Sequence, residues 1–153
     1  MVTGSDGFIG KNLIVHLKEQ QNFSVLTFTR ENSDSELHEF VEQSDAVIHL
    51  AGENRPKEIL DFETVNLGLT HLLCCAIRNK ERKIPLVLAS SIQADQENPY
   101  GMSKLAAERA VKELAYETGN PVYIYRLANV FGKWCKPNYN SVVATFCYNI
   151  AND

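Results

Sequence analysis

The sequence predicts an α/β fold, a doubly wound parallel sheet with helices on both faces, from three observations. Apolar runs of strand length alternate with segments of helical period along the whole chain, which is the trace that successive βαβ units leave. The strand-like runs are nearly continuous in apolar residues, as strands covered on both sides must be. Three glycines, Gly4, Gly7 and Gly10, stand immediately before the first helical stripe. Right-handed crossovers turn this alternation into a Rossmann-like sheet.

In chain order, only Met1, Val2 and Thr3 precede the first glycine. A central first strand usually has about five or six residues, so the N-terminus is expected to be shortened. A helix follows from Phe8 to Gln20 with the stripe Phe8, Leu13, Ile14 and Leu17. The next strand is Ser24 to Phe28, and a helix runs from Glu36 to Gln43. Too few residues lie between Phe28 and Asp45 for a helix, another strand and another helix, so the sheet is expected to have one strand fewer than usual. A strand from Asp45 to Leu50 leads to a helix from Phe62 to Asn79, and a strand from Ile84 to Ser90 leads to a helix from Tyr100 to Glu117. Thr118-Gly119-Asn120-Pro121 stops that helix. Val122 to Leu127 forms the last strand, and a final helix starts near Tyr139 to Ser141. With no repeat, low-complexity tract or linker, residues 1–153 read as one dinucleotide-binding domain.

A content of 44% hydrophobic and 22% charged residues is that of a soluble globular protein. The net charge of −4 offers no basic field for a phosphate backbone, so nucleic acid is not expected as a partner. Cys74, Cys75, Cys135 and Cys147 show neither C-x-x-C nor metal-type spacing, which suits a reducing cytoplasm. His16, His38, His49 and His71 are scattered and read as packing or surface residues, so no metal is expected. No apolar run approaches the roughly 20 residues that span a bilayer, and the chain opens on glycines rather than a leader. A cytoplasmic protein without membrane contact is the expectation.

The chemistry begins at Thr3-Gly4-Ser5-Asp6-Gly7-Phe8-Ile9-Gly10. Glycines at this spacing allow a tight turn and let backbone amides approach a pyrophosphate at a helix N-terminus. Gly4, Gly7, Phe8, Ile9 and Gly10 are therefore candidate cofactor-binding residues. The second strand ends in Thr27-Phe28-Thr29-Arg30 with no carboxylate, and Arg30 can pair with a 2′-phosphate. This favours NADP(H), with NAD(H) as the alternative, unless Arg30 is only a solvated surface residue. Leu50, Ala51 and Gly52 end a strand in small residues that let a cofactor cross the sheet edge. Asn66, near the start of the next helix, can tie adjacent strand ends together. Asn54 and Arg55 serve contact or structure equally well.

Tyr100 and Lys104 stand four apart on one helix face. A charge about 4 Å away contributes roughly 4 kcal/mol at an effective dielectric of about 20, which would lower the Tyr100 pKa by up to about three units. Such a tyrosine can exchange a proton with a carbonyl oxygen while a nicotinamide exchanges hydride with the carbon. Lys104 can hold the nicotinamide ribose as well, and Ser91, closing the preceding strand, can hydrogen-bond the same oxygen. The stripe Leu69, Leu72, Leu73, Ala76 and Ile77 is helix core or a helix-pair face of a homodimer. The stretch from Trp134 to Asn140 either lines a substrate site or shapes a loop.

Taken in order, the glycine turn, the Leu-Ala-Gly strand end, the Ser-Ser strand end, Tyr100 and Lys104 resemble the extended short-chain dehydrogenase/reductase family of nucleotide-sugar epimerases, reductases and dehydratases. The resemblance covers essentially the whole chain. It implies that Ser91, Tyr100 and Lys104 are catalytic, that Asn129 in Arg126-Leu127-Ala128-Asn129-Val130-Phe131-Gly132 faces the substrate, and that the backbone near Leu127 faces the nicotinamide. Ser90 to Ala94, Asn98 to Gly101, Tyr123 to Arg126 and Phe131 to Ser141 resemble the bacterial capsule-biosynthesis reductases. That likeness implies NADPH-dependent reduction of a UDP-4-keto-6-deoxy-N-acetylhexosamine, with a UDP-sugar as substrate. Those enzymes continue into a substrate subdomain and a metal-binding cupin domain, both expected to be missing here. Dehydratases of the family carry an Asp-Glu pair where this chain has Ile92-Gln93, so dehydration is disfavoured. A nucleotide-sugar epimerase and a catalytically silent Rossmann module remain the alternative readings.

Overall fold

The computed structural model describes residues 1–54 and 62–152. Among them, strands β1 (Val2–Thr3), β2 (Thr27–Phe28), β3 (Val47–His49), β4 (Leu86–Ser91) and β5 (Val122–Leu127) form one sheet in the order β2-β1-β3-β4-β5. Every pairing is parallel. The six-stranded order 3-2-1-4-5-6 places one more strand beyond the second; here β2 is the edge, so the reduced sheet expected from the short Phe28-to-Asp45 interval is what forms.

Short as it is, β1 is bonded on both sides. Val2 N–H donates to the Leu26 carbonyl at 2.8 Å and Gly4 N–H to Phe28 at 2.9 Å; on the other side the Met1 carbonyl accepts from Ile48 at 2.9 Å. Both neighbours are shorter than expected: β2, which pairs only with β1, falls short of Ser24 to Phe28, and β3, which pairs over two residues with β1 and three with β4, falls short of Asp45 to Leu50.

Helix α1 (Phe8–Glu19) links β1 to β2, and α2 (Asp34–Gln43) links β2 to β3. The start of α2 lies two residues ahead of the expected Glu36. Ser33 and Glu36 form a reciprocal capping box, with Glu36 Oε2 accepting from Ser33 N–H at 2.7 Å. The Phe62-to-Asn79 helix divides into a π-helical stretch, Phe62–Gly68, and α3 (Leu69–Arg78). Helix α4 (Pro99–Thr118) follows β4, and α5 (Val142–Asn152) ends the described chain.

Three crossovers, through α2, α3 and α4, step along the sheet in one direction, while that through α1 steps the other way. A common right-handed twist therefore puts α2, α3 and α4 on one face and α1 on the other. On the three-helix face Leu37, Val41, Leu73, Ile77, Val111 and Leu114 pack against Val47, Leu86 and Leu88. The other face is thinly covered: Tyr123 and Tyr125 of β5 are 52% and 58% exposed. No described helix is long and apolar enough to cross a membrane.

His49 fastens the centre of the sheet. It is 1% exposed, with Nδ1 2.6 Å from Thr3 Oγ1 and Nε2 3.0 Å from Thr70 Oγ1, so it joins β1, β3 and α3. Burial, and secondarily the charge of Lys104, push its pKa down to about 3. The unfolded chain protonates near pH 6.5 while the folded chain does not, so this residue's stabilisation is complete above pH 6.5 and is lost as the pH falls toward 3. Between pH 7 and 5 urea unfolding should report a loss of about 2 kcal/mol through His49, and His49→Gln should remove that increment.

Candidate cofactor and active site

Gly4 turns the chain at φ 66° directly against the end of β3: a Cβ there would lie 2.6 Å from the Ala51 nitrogen. Only glycine satisfies both conditions. Thr3 Oγ1 accepts from Ala51 N–H at 3.2 Å, and the Gly4 carbonyl accepts from Gly7 N–H at 3.0 Å. Helix α1 then begins with Gly7 at its N-cap and no side-chain cap. Its first amides, Phe8, Ile9 and Gly10 among them, are the free donors of any helix start.

Ser5 is the residue here that sequence reasoning passed over. It is 5% exposed, and its Oγ has no hydrogen-bond partner among the described residues. A buried hydroxyl in that condition costs about 1–3 kcal/mol. Next to an uncapped helix N-terminus it suits an anion such as a dinucleotide pyrophosphate. Its position inside the glycine turn was the available signal. A hollow of about 280 Å³ beside the turn is lined in part by Ser5, Asp6, Lys11 and Trp134.

At the far end of the site, helix α4 presses onto the turn that leaves β4. A Cβ on Gly101 would be 2.2 Å from the Gln93 carbonyl oxygen and 2.5 Å from that of Gln96. Asn98 caps the helix, its Oδ1 accepting from Gly101 N–H at 2.8 Å, and Pro99 occupies the first turn. A 3-10 turn, Ile92–Asp95, uses up the intervening chain. The result brings the Ser91 hydroxyl to the Tyr100 phenol, closely enough to draw the phenol's pKa down.

Tyr100 is half-buried against Phe62, ring centroids 5.8 Å apart. Lys104 is 7% exposed, with Nζ 5.8 Å from the Tyr100 ring centroid and 3.5 Å from the Ala89 carbonyl oxygen. A Cβ on Gly52 would lie 2.8 Å from that Nζ, so the bare strand end makes room for the ammonium. The expected lowering of the Tyr100 pKa by Lys104 is not found. Burial raises the phenol, and the opposing pull comes from Ser91. The spacing put both groups on one helix face, but the ammonium lies over the ring, 5.8 Å from its centroid, and desolvation lowers its own pKa to about 8.

Asn66 ties elements together as expected, though it joins the loop after β3 to α4 rather than two strand ends. Its Oδ1 accepts from Glu53 N–H at 2.7 Å, and its Nδ2 donates to the Glu53 carbonyl at 3.1 Å and to Ser103 Oγ at 3.0 Å. Arg30 reaches across from the end of β2 to Glu53, Nη2 to Oε2 2.6 Å, with its side chain 80% exposed. Leu127 pairs with Ser91 in the sheet register, which places its backbone at the same edge. Asn129 is exposed and donates to the Asn140 carbonyl at 3.0 Å, so it braces the loop that follows. That loop folds onto α1, where Asn12 Nδ2 donates to the Lys133 carbonyl at 2.8 Å. Arg55 lies outside the described residues.

The model of the NAD dependent epimerase/dehydratase family matches residues 1–153. Over its whole length the chain is 52% identical to the UDP-2-acetamido-2,6-beta-L-arabino-hexul-4-ose reductase of Pseudomonas aeruginosa, of which it covers 41%. Its fold superposes on the capsular polysaccharide assembling protein CapF of Staphylococcus aureus with a TM-score of 0.84 and 45% identity, over 99% of this chain and 41% of that one. The structure of RMD from Pseudomonas aeruginosa complexed with NADPH matches at a TM-score of 0.79 and 26% identity, over 99% of this chain and 61% of that one. The chain thus spans about two fifths of the first two proteins.

Ser5→Ala should leave the chain alone as stable as before, or more stable by about 1–3 kcal/mol, because it removes an unmet buried hydroxyl. Urea unfolding without added nucleotide measures this.

Proposed function

The chain belongs to the NAD dependent epimerase/dehydratase family, and from that premise we propose that it is the cofactor-binding, proton-donating part of an NADPH-dependent reductase. The substrate is a UDP-linked 4-keto-6-deoxy-N-acetylhexosamine, reduced at C4. One observation carries the reading: Ser91 beside Tyr100 and a buried Lys104 meet at the edge where the chain leaving β3 passes the bare Gly52. The 52% identical relative is itself named a reductase of a UDP-linked hexulose.

The dinucleotide fits the residues present. The free amides of Phe8, Ile9 and Gly10 and the Ser5 hydroxyl, unpartnered among the described residues, would hold its pyrophosphate, and Lys104 its nicotinamide ribose. Bound there, the nicotinamide supplies the hydride that reduces the ketone carbon. The chain's own residues manage the proton. Burial keeps the Tyr100 phenol protonated at neutral pH, the form needed to donate to the ketone oxygen. Ser91 hydrogen-bonds that same oxygen and so holds it within reach. Lys104, with a pKa near 8, is mostly charged at neutral pH and able to return a proton to the site.

Arg30 supports NADPH over NADH, since a guanidinium at the end of β2 can meet a 2′-phosphate. That phosphate must compete with Glu53, whose carboxylate holds Arg30 already.

Fluorescence titration of the chain should show tighter binding of NADPH than of NADH, and Arg30→Ala should abolish the difference. Equal affinity in the unsubstituted chain would refute the assigned preference. In the full-length enzyme, Tyr100→Phe should lower kcat about 10²–10⁴-fold, the usual worth of a general acid, while cofactor affinity stays within about 3-fold. Retained turnover would exclude Tyr100 as the proton donor.

A further inference from the structure

Glu108 lies one helical turn beyond Lys104 on α4 and is 1% exposed. A carboxylate is almost never buried to this degree unless it is paired, and this one is bound from several directions. Oε1 accepts from Ser90 Oγ at 2.6 Å and from Arg126 Nε at 2.8 Å, and Oε2 accepts from Arg126 Nη2 at 2.8 Å. Lys112 Nζ stands 3.9 Å away on the same helix. Arg126 continues to Asp95, Nη1 to Oδ1 2.5 Å.

These contacts connect the pieces that must agree for Ser91 to meet Tyr100. Ser90 is the residue before Ser91 on β4. Arg126 is its register partner on β5. Asp95 belongs to the 3-10 turn between Ser91 and Tyr100, and Glu108 shares α4 with Tyr100. Two charge-assisted bonds in a fork fix direction as well as distance, and no described contact of Glu108 reaches the Tyr100 or Lys104 side chains.

We propose that Glu108 is a positioning residue: through Ser90 and Arg126 it locks the end of β4 to helix α4 and thereby holds the Ser91 hydroxyl against the Tyr100 phenol. Its importance for turnover rests on the proton-donor reading of Tyr100, but the positioning itself does not. Among the described residues, the charged groups facing Glu108 are Arg126 from β5 and Lys112 from its own helix, with Asp95 beyond Arg126, and Lys104 is the ammonium that stands over Tyr100. Removing one carboxylate oxygen's charge therefore loosens the clamp without touching the pair it aligns.

The test is made on the chain with 13Cζ-labelled tyrosine, in which Tyr100→Phe assigns the Tyr100 resonance among six tyrosines. Ser91→Ala should shift that resonance by removing the phenol's partner. Glu108→Gln should shift it in the same direction by a comparable amount, while NADPH affinity changes less than about 3-fold. Should Glu108→Gln not fold, Ser90→Ala takes its place, because it cuts one strut and leaves the Glu108–Arg126 pair. In the full-length enzyme the folded variant should lose roughly 10-fold or more in kcat with the KM for cofactor unchanged, and Glu108→Asp should recover part of that loss. A Tyr100 resonance that moves in Ser91→Ala but stays in place in the folded Glu108 or Ser90 variant would overturn the positioning role. So would a resonance that ignores Ser91→Ala. Absence of NADPH binding by the unsubstituted chain, by contrast, would count against the proposed function and leave the resonance test intact.

Discussion

A side chain at position 101 would put its first carbon 2.2 Å from the Gln93 carbonyl oxygen, so α4 can press against the turn leaving β4 only on glycine. The arrangement around Tyr100 follows from that close approach. It lets the short link after Ser91 close, and with Asn98 and Pro99 starting the helix there, Tyr100 faces back toward the strand end. The same rigid rod carries Lys104 one turn on, Glu108 a turn after that, and Ala107, Val111 and Leu114 into the core. Burying each of the larger apolar side chains contributes about 1.5–3 kcal/mol, which anchors the helix whose first turn carries Tyr100.

The second half depends on a comparable approach at Gly4, where the turn backbone rests on the end of β3. Helix α1 then points its uncapped N-terminus to the same sheet edge that Lys104 reaches from the opposite face. Positive potential is thereby concentrated locally, in backbone amides and one buried ammonium, on a chain whose net charge is −4. The pairing of Arg30 with Glu53 has the same character, a local charge contact at the end of β2 and not part of a general basic field.

The features that could be read from sequence were those that backbone geometry or helical period imposes locally. Gly4, Gly7 and Gly10 marked the turn, Tyr100 and Lys104 shared a face, and the Phe28-to-Asp45 interval was too short for the missing strand. Strand lengths were not legible, because a ladder depends on how far its partners run beside it, and apolar character at Val25 carries no record of that. The start of α2 is set by the Ser33–Glu36 capping box, two residues ahead of the expected Glu36. The raised Tyr100 pKa was hidden for a different reason: spacing fixes a face but not how far an ammonium stands from a hydroxyl, nor how much water the ring loses. Nothing in the sequence singles out Glu108 on its helix, since its partner Arg126 comes from another strand.

Mapping NADPH binding by amide chemical shifts tests the site most directly. The arrangement described here requires the largest changes at Gly4, Ser5, Gly7, Ile9 and Gly10, together with Gly52 and Lys104 at the opposite end. Changes confined to other surfaces, or no change at millimolar NADPH, would contradict it.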